Sequence, residues 1–283
     1  MRPKQWTKNS VVFAALVFDK KLFVPQLFAK TTAAFFLLCL ISSTVYLIND
    51  LVDIEKDRQH PRKRLRPLPS GQLKPWVAVV AAIVIPALCL PLAFLLDLSF
   101  GLIVTIYLLV MIAYSFWLKN VVIVDVLTIA AGFVLRVAAG VPMVQVERFS
   151  PWLYVCITLG ALFIGFGKRR HELSLLQTNA NNHRSVLNDY NQTFLDEMMG
   201  VVTASTVMAY SLYTFSAEGL PPNHAMMLTI PFVLYGIFRY LYLIHVREEG
   251  GAPEEIILRD KPLLADVLLW GLAVIAILYF SQS

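Results

Sequence analysis

The stretch NDLVDIEKD, residues 49–57, sets Asn49, Asp50, Asp53 and Asp57 at steps of one, three and four residues. Positions three and four apart share a side of an α-helix, so a continuous helix aligns Asp50, Asp53 and Asp57 on one face. Asn49, four residues before Asp53, joins that face, and Glu55 falls to the other side. Carboxylates this close repel, the more so where water is partly excluded, and something cationic must offset them. Hard oxygen donors with no His or Cys nearby suit magnesium or manganese better than zinc. Magnesium typically takes one or two carboxylates and fills its shell with water and phosphate oxygens. The plainer alternative is a charged helix end whose acids pair with Arg58, Arg62 or Lys63.

A basic block follows at once, DRQHPRKRLRP, which supplies Arg62, Lys63 and Arg66. Lys119 follows YSFWL, Lys168 to Arg170 close a later apolar run, and Arg184 lies in the polar stretch after it. Each alone reads as a snorkelling or topology-setting charge. Gathered on one side of a membrane, a metal ringed by such cations can hold a polyphosphate. Asp125 and Arg136 lie eleven residues apart, about three helical turns, and share a face. An ionisable residue as deep in an apolar run as Arg136 is a candidate for function, with an ion pair to an acid elsewhere as the alternative. Tyr114 and Tyr190 accompany these motifs and would otherwise read as interfacial anchors. His60 and His171 lack the spacing of a metal pair.

The elements that must position these groups are membrane helices. The chain of 283 residues is 58% hydrophobic and 15% charged, too apolar for a water-soluble shell. Nine segments have the roughly 20 residues that cross a hydrocarbon core, starting near Asn9, Lys30, Pro75, Ser99, Val121, Pro151, Phe194, Ala225 and Pro262. The first, Asn9 to Pro25, is interrupted by Asp19, Lys20 and Lys21. The expected architecture is an all-α, polytopic helical bundle of about nine spans, residues 1–283 forming one domain. The start, MRPKQWTKN, lacks a small-residue cleavage site downstream, so no cleaved leader is expected.

The net charge of +5 invites a nucleic-acid reading, but its distribution follows the positive-inside bias instead. A cytoplasmic N-terminus puts residues 49–75, 117–121, 168–193 and 245–262 inside, and with the N-terminal tail these hold eighteen of the 24 Lys and Arg. The expected location is a cell's inner or plasma membrane, with the acids and cations at the cytoplasmic face and no nucleic-acid partner. The three cysteines, Cys39, Cys89 and Cys156, sit scattered in apolar segments and suggest packing, not a disulfide or metal framework.

These motifs resemble the UbiA superfamily of intramembrane prenyltransferases, whose first signature, N-D-x-x-D-x-x-x-D, appears here at Asn49 to Asp57. The resemblance implies a nine-helix, UbiA-like bundle with a polar cavity, and a transferase that binds a diphosphate through magnesium. Ordinary members carry a second Asp-rich motif, D-x-x-x-D. The corresponding region here, Tyr114 to Gly140, holds the single acid Asp125 together with Lys119 and Arg136. That pattern resembles a phosphoribosyltransferase branch of the superfamily, through RPKQWTKN, DRQHPRKRLRPLPSG, LKNVVIVDVLTIAAGFVLRVAAG, FGKRRHEL, RSVLNDY and RDKPL. The branch implies phosphoribosyl diphosphate as donor, polyprenyl phosphate (decaprenyl phosphate) as acceptor, release of diphosphate, and supply of a cell-wall arabinan precursor. It further implies magnesium on Asp50 and Asp53, with Asp57 as a third or water-mediated ligand and Asn49 positioning a carboxylate, a water or a ribose hydroxyl. Lys119, Lys168 and Arg184 would meet donor phosphates, with Arg62, Lys63 and Arg66 at the rim. Lys8 and Arg136 would meet the lipid phosphate, with Tyr114, Asp125 and Tyr190 lining the substrates. Two alternatives stay open: a prenyl-diphosphate aromatic transferase of the same fold, and an anion or lipid-phosphate transporter. The oligomeric state is left open too, a homo-oligomer included.

Overall fold

The computed structural model describes residues 3–59, 63–144, 151–178, 185–249 and 253–280. Regular structure among these residues is helical throughout. A 3-10 helix at Pro3–Phe13 leads into α1 (Ala14–Phe18), α2 (Pro25–Val52) and α3 (Ile54–Gln59). Then come α4 (Pro75–Leu96), α5 (Leu98–Phe116), α6 (Val124–Ala138), α7 (Val141–Val144) and α8 (Pro151–Thr178). The chain ends in α9 (Gln192–Ser216), α10 (Ile230–His245), α11 (Pro253–Arg259) and α12 (Lys261–Phe280). Among the described residues, eight stretches are long and apolar enough to cross a membrane: Pro25–Val52, Pro75–Leu96, Leu98–Phe116, Val124–Val144, Pro151–Ser174, Gln192–Ser216, Ala225–His245 and Lys261–Phe280. The protein is an integral membrane protein with the all-α, polytopic architecture that the apolar runs predict.

The local chemistry explains where these helices begin. Pro25 and Pro75 sit in the first turn of α2 and α4, where a missing N–H costs no hydrogen bond. Asp97 stops α4 and caps α5, its carboxylate accepting the Ser99 and Phe100 N–H groups at 2.9 and 3.2 Å. Exposed Ile83, Leu88 and Leu95 on α4 would be costly in water and are at ease against lipid.

The expected first span, Asn9 to Pro25, differs from the rest. Its first part is the 3-10 helix and α1 is only five residues long, so no long α-helix forms there. The charges at Asp19 to Lys21 end it in a turn, with Lys20 at φ 57°. An eleven-residue 3-10 helix nevertheless extends roughly 22 Å, against about 17 Å for an α-helix of equal length. The segment therefore reaches deep alongside α2 without being a conventional span.

The chain divides into two compact units. The first comprises residues 1–16, 21–146 and 181–186. Its core gathers Val12, Leu16, Leu38, Ile41, Phe100 and Met143. The 3-10 helix runs antiparallel to α2: Trp6 Nε1 donates to Ser43 Oγ at 3.2 Å, Asn9 Nδ2 to Ser42 Oγ at 3.0 Å, and Phe13 packs on Phe35 and Phe28. Gly140, just past α6, permits this closeness, since a Cβ there would overlap the Val12 carbonyl oxygen. A smaller cluster of Leu47, Leu68 and Ala78 ties the loop after α3 back onto α2 and α4.

The second unit comprises residues 17–20, 147–180 and 187–283. Tyr210 lies at its centre, its hydroxyl 2.7 Å from Thr229 Oγ1 and accepting from Trp270 Nε1 at 2.8 Å. Arg239 on α10 grips Asp260 through two contacts of 3.1 and 2.8 Å, and Asp260 also caps α12 by accepting the Leu263 N–H at 2.9 Å. The guanidinium holds the Asp260 carboxyl below the ordinary carboxylate range; burial opposes this, and the Leu263 N–H adds to it.

Candidate functional site

The acidic motif lies where α2 gives way to α3. Asp53 is the joint: its N–H still bonds the Asn49 carbonyl at 3.0 Å, and its own carbonyl accepts the Asp57 N–H at 2.8 Å. Its backbone, at φ −99° and ψ 11°, leaves the helical region for one residue. The continuous helix expected across residues 50–57 is therefore broken at the middle aspartate. Asp50 and Asp57 still turn inward and are buried, whereas Glu55 faces out and pairs with Arg58 at 2.6 Å.

Each carboxylate meets a cation. Arg66 Nη1 bridges Asp50 Oδ1 at 3.1 Å and Asp57 Oδ2 at 2.5 Å, and Lys63 Nζ stands 3.8 Å from Asp57 Oδ1. Lys119 Nζ reaches Asp53 Oδ1 at 2.7 Å. Arg66 owes its position to the loop that Leu68 anchors two residues later. Sequence reasoning set Arg66 at the rim; folding draws it into the centre.

Lys119 sits in the 3-10 turn Leu118–Asn120 that follows α5, itself 6% exposed. The next turn is strained. Ile123 has φ 67° and ψ −44°, and the Val124 N–H bonds the Val122 carbonyl at 2.7 Å, a γ-turn of the rare positive-φ kind. A β-branched residue resists this conformation, and such strain persists where the surroundings enforce it, often at functional sites. Here it turns the chain from Lys119 into α6, whose first turn carries the buried Asp125.

The donor chemistry suits a hard divalent ion. The side chains are carboxylates and an amide, and Asn49 Oδ1 is buried without a hydrogen-bond partner. Among the described residues no three His, Cys, Asp or Glu side chains converge as a ready metal cage. Two carboxylates plus the Asn49 oxygen, completed by a ligand's phosphates, match the way magnesium is usually held. Asp57, which also meets Lys63 and Arg66, stands beside them as the third carboxylate of the motif.

Deeper in the first unit lies a second polar centre. Arg136, 5% exposed, donates from Nε to Asn9 Oδ1 at 2.9 Å and from Nη2 to the Tyr107 hydroxyl at 2.7 Å. Its guanidinium carbon is 4.9 Å from the Tyr107 ring centroid and 5.1 Å from that of Phe133. No acid pairs with Arg136 among the described residues, Asp125 included. Asn9 and Tyr107 were not singled out from sequence. Asn9 carries a signal only as the end of RPKQWTKN, and Tyr107 none within its apolar run.

The remaining expected residues are distributed as follows. Lys8 is half-buried in the 3-10 helix and Tyr114 is buried near the end of α5. Arg62 and Arg184 lie outside the described residues. In the second unit, Lys168 is half-buried on α8, beside the wholly buried Arg169, which contacts Glu172 at 2.8 Å. Tyr190, also in that unit, is buried and stacks on Phe194. The polar stretch after Lys168 continues α8 as far as Thr178.

Comparison with known proteins follows the same lines. The model of the UbiA prenyltransferase family matches residues 10–255. The decaprenyl-phosphate phosphoribosyltransferase of Mycobacterium tuberculosis strain H37Rv is 32% identical over 288 residues, covering 99% of this chain and 93% of that protein. The protein of the same name from Corynebacterium glutamicum is 31% identical, covering 99% and 85%. Among solved structures, a UbiA homolog from Archaeoglobus fulgidus bound to GPP and Mg2+ superposes with a TM-score of 0.72 at 18% identity, covering 98% of this chain and 97% of that one. That structural likeness shows the fold.

Proposed function

The chain belongs to the UbiA prenyltransferase family, a membrane-embedded transferase by that membership, and we propose that it moves a 5-phosphoribosyl group from phosphoribosyl diphosphate to a polyprenyl phosphate, releasing diphosphate. The observation that carries this reading is Lys119. Where ordinary relatives place a second pair of aspartates, this chain buries an ammonium group against Asp53 at 2.7 Å. A site with one acidic motif and fixed cations suits a donor richer in phosphate than a prenyl diphosphate. Similarity to the decaprenyl-phosphate phosphoribosyltransferases along 99% of the chain supports the same choice.

Asp50 and Asp53, with the Asn49 oxygen, would hold a magnesium ion, which when bound neutralises and polarises the leaving diphosphate. The protein's own groups do the rest. Lys119 and Arg66 exchange their carboxylate partners for diphosphate oxygens, while Asp57 keeps Lys63 and steadies the loop. The acceptor's phosphate oxygen, already anionic at neutral pH, attacks C1 of the ribose as the bond from C1 to the diphosphate oxygen breaks on the opposite face. No general base is required. The acidic motif and its cations face the cytoplasm in this reading, where a water-soluble donor is made, and the product feeds cell-wall arabinan synthesis.

Purified protein incubated with magnesium, phosphoribosyl diphosphate and a short polyprenyl phosphate should yield a phosphoribosylated lipid by mass analysis, with stoichiometric diphosphate. Prenyl transfer from geranyl diphosphate to an aromatic acid, with phosphoribosyl diphosphate left untouched, would overturn the assignment.

A further inference from the structure

Arg136 poses a question that the acidic motif does not answer. A guanidinium buried within membrane helices is costly unless a counter-charge meets it, and here both hydrogen-bond partners, Asn9 and Tyr107, are neutral. Its third nitrogen, Nη1, makes no hydrogen bond among the described residues. Beside that nitrogen is Gly132, one turn earlier on α6; a Cβ there would lie 3.7 Å from Nη1 and 3.2 Å from Met111 Sδ. The missing side chain lets Met111 and Tyr107 pack close beside the positively charged donor without a further group crowding it. A purely structural tie between the 3-10 helix, α5 and α6 would be made as well by a neutral amide, without burying a charge.

The position along the helices says what could meet it. Asn9 is bonded to Ser42 and Cys39, so Arg136 lies near their level on α2. Ser42 is eight residues before Asp50, about 12 Å of helix. Along this stretch α2 and its C-cap carry a polar face: Cys39, Ser42, Ser43, Tyr46, Asn49, Asp50 and the capping Asp53 recur at three- and four-residue steps. That track joins the acidic cluster to Arg136 within one unit. A ligand reaching both ends must be elongated and anionic at both.

We propose that Arg136, aimed by Asn9 and Tyr107, forms a second anion subsite that takes the 5-phosphate of the ribosyl donor while its diphosphate occupies the acidic cluster. The inference rests on the phosphoribosyl reading given above. It also reassigns Arg136, expected from sequence to meet the lipid phosphate. The attacking lipid phosphate must lie within bonding reach of C1, and C1 carries the diphosphate, so that phosphate belongs beside the cluster. The 5-phosphate is the one anionic group that projects from the far side of the ribose. Arg136 thereby separates phosphoribosyl diphosphate from prenyl diphosphates, which have nothing to offer that end of the track.

The test uses the full-length protein in detergent and two probes, ribose 5-phosphate and magnesium diphosphate, with binding followed by titration calorimetry. Arg136→Gln should weaken ribose 5-phosphate roughly ten- to hundredfold, the loss expected for a charge-assisted contact, and leave magnesium diphosphate within about twofold. Asp53→Asn should do the reverse. In turnover, ribosyl 1-diphosphate without its 5-phosphate should be a poor donor for the wild type and no poorer for Arg136→Gln. If Arg136→Gln does not fold, Arg136→Lys and Tyr107→Phe, which keep the charge and loosen its aim, should each shift ribose 5-phosphate affinity without moving diphosphate affinity. Equal losses of both probes, or unchanged ribose 5-phosphate binding, would remove the subsite. A wild-type protein that transfers phosphoribose normally while the variants bind ribose 5-phosphate unchanged refutes the subsite alone. A wild-type protein that uses no phosphoribosyl donor refutes the reading beneath it.

Discussion

Replacing Lys119 by Gln removes one positive charge and little volume at a position 6% exposed. The ammonium meets Asp53 Oδ1 at 2.7 Å, an oxygen whose side chain is 18% exposed. Losing the partner of a buried ion pair costs about 3–5 kcal/mol when the remaining charge is sealed from water. Asp53 is partly open, and solvent screening lowers the expected loss of stability to about 1–2 kcal/mol. The effect on catalysis should differ in kind. If Lys119 passes from Asp53 to the diphosphate during turnover, Lys119→Gln forfeits a charge-assisted contact of about 1.5–3 kcal/mol, or roughly ten- to hundredfold in kcat/KM for phosphoribosyl diphosphate. Magnesium should bind no more weakly, because the cation that competes for Asp53 has gone. Steady-state kinetics at several donor and magnesium concentrations, with a thermal unfolding midpoint measured beside them, separate these effects. Wild-type efficiency in Lys119→Gln would refute the exchange, as would a loss of efficiency fully restored by raising magnesium.

Other outcomes can be checked with simpler measurements. Asp50→Ala and Asp53→Ala should abolish turnover in protein that still inserts and purifies, whereas Glu55→Ala, on the exposed side, should keep most activity; comparable damage at Glu55 would undo the assignment of the inner face. In a background without Cys39, Cys89 and Cys156, a cysteine at Gln72 should resist an impermeant thiol reagent in intact cells and one at Glu218 should react, and the opposite pattern would invert the proposed topology. Because Arg239 lowers the Asp260 pKa from its ordinary 3.8, the pair adds stability at pH above that value and loses it as pH falls through the depressed folded value. Asp260→Asn keeps the helix cap but not the ion pair, so its unfolding midpoint should trail the wild type at pH 6, with the gap starting to narrow near pH 3.8 and closing only as pH falls through the depressed folded value, a gap independent of pH being the contrary result.

The amino-acid sequence alone determined what depends on local composition and short spacing. Runs of about 20 apolar residues fix where helices cross lipid, because backbone groups there can be satisfied only within a helix. The three- and four-residue steps of the acidic motif put Glu55 outside and Asp50 and Asp57 inside, and the motif with its altered second half was enough to mark the family. What the sequence did not carry is contact across long separations. Lys119 meets Asp53 from 66 positions away and Arg136 meets Asn9 from 127, and no periodicity in either segment specifies its partner. Arg66 moved from rim to centre because Leu68 is buried beside Leu47, a packing choice made by the loop as a whole. The N-terminal segment became a stretched 3-10 helix, not a ninth regular span, since its course follows α2 through Trp6, Asn9 and Phe13 more than its own hydropathy. Tertiary structure decided these points because buried charge must find its compensation wherever the fold brings it, and sequence distance has no bearing on that cost.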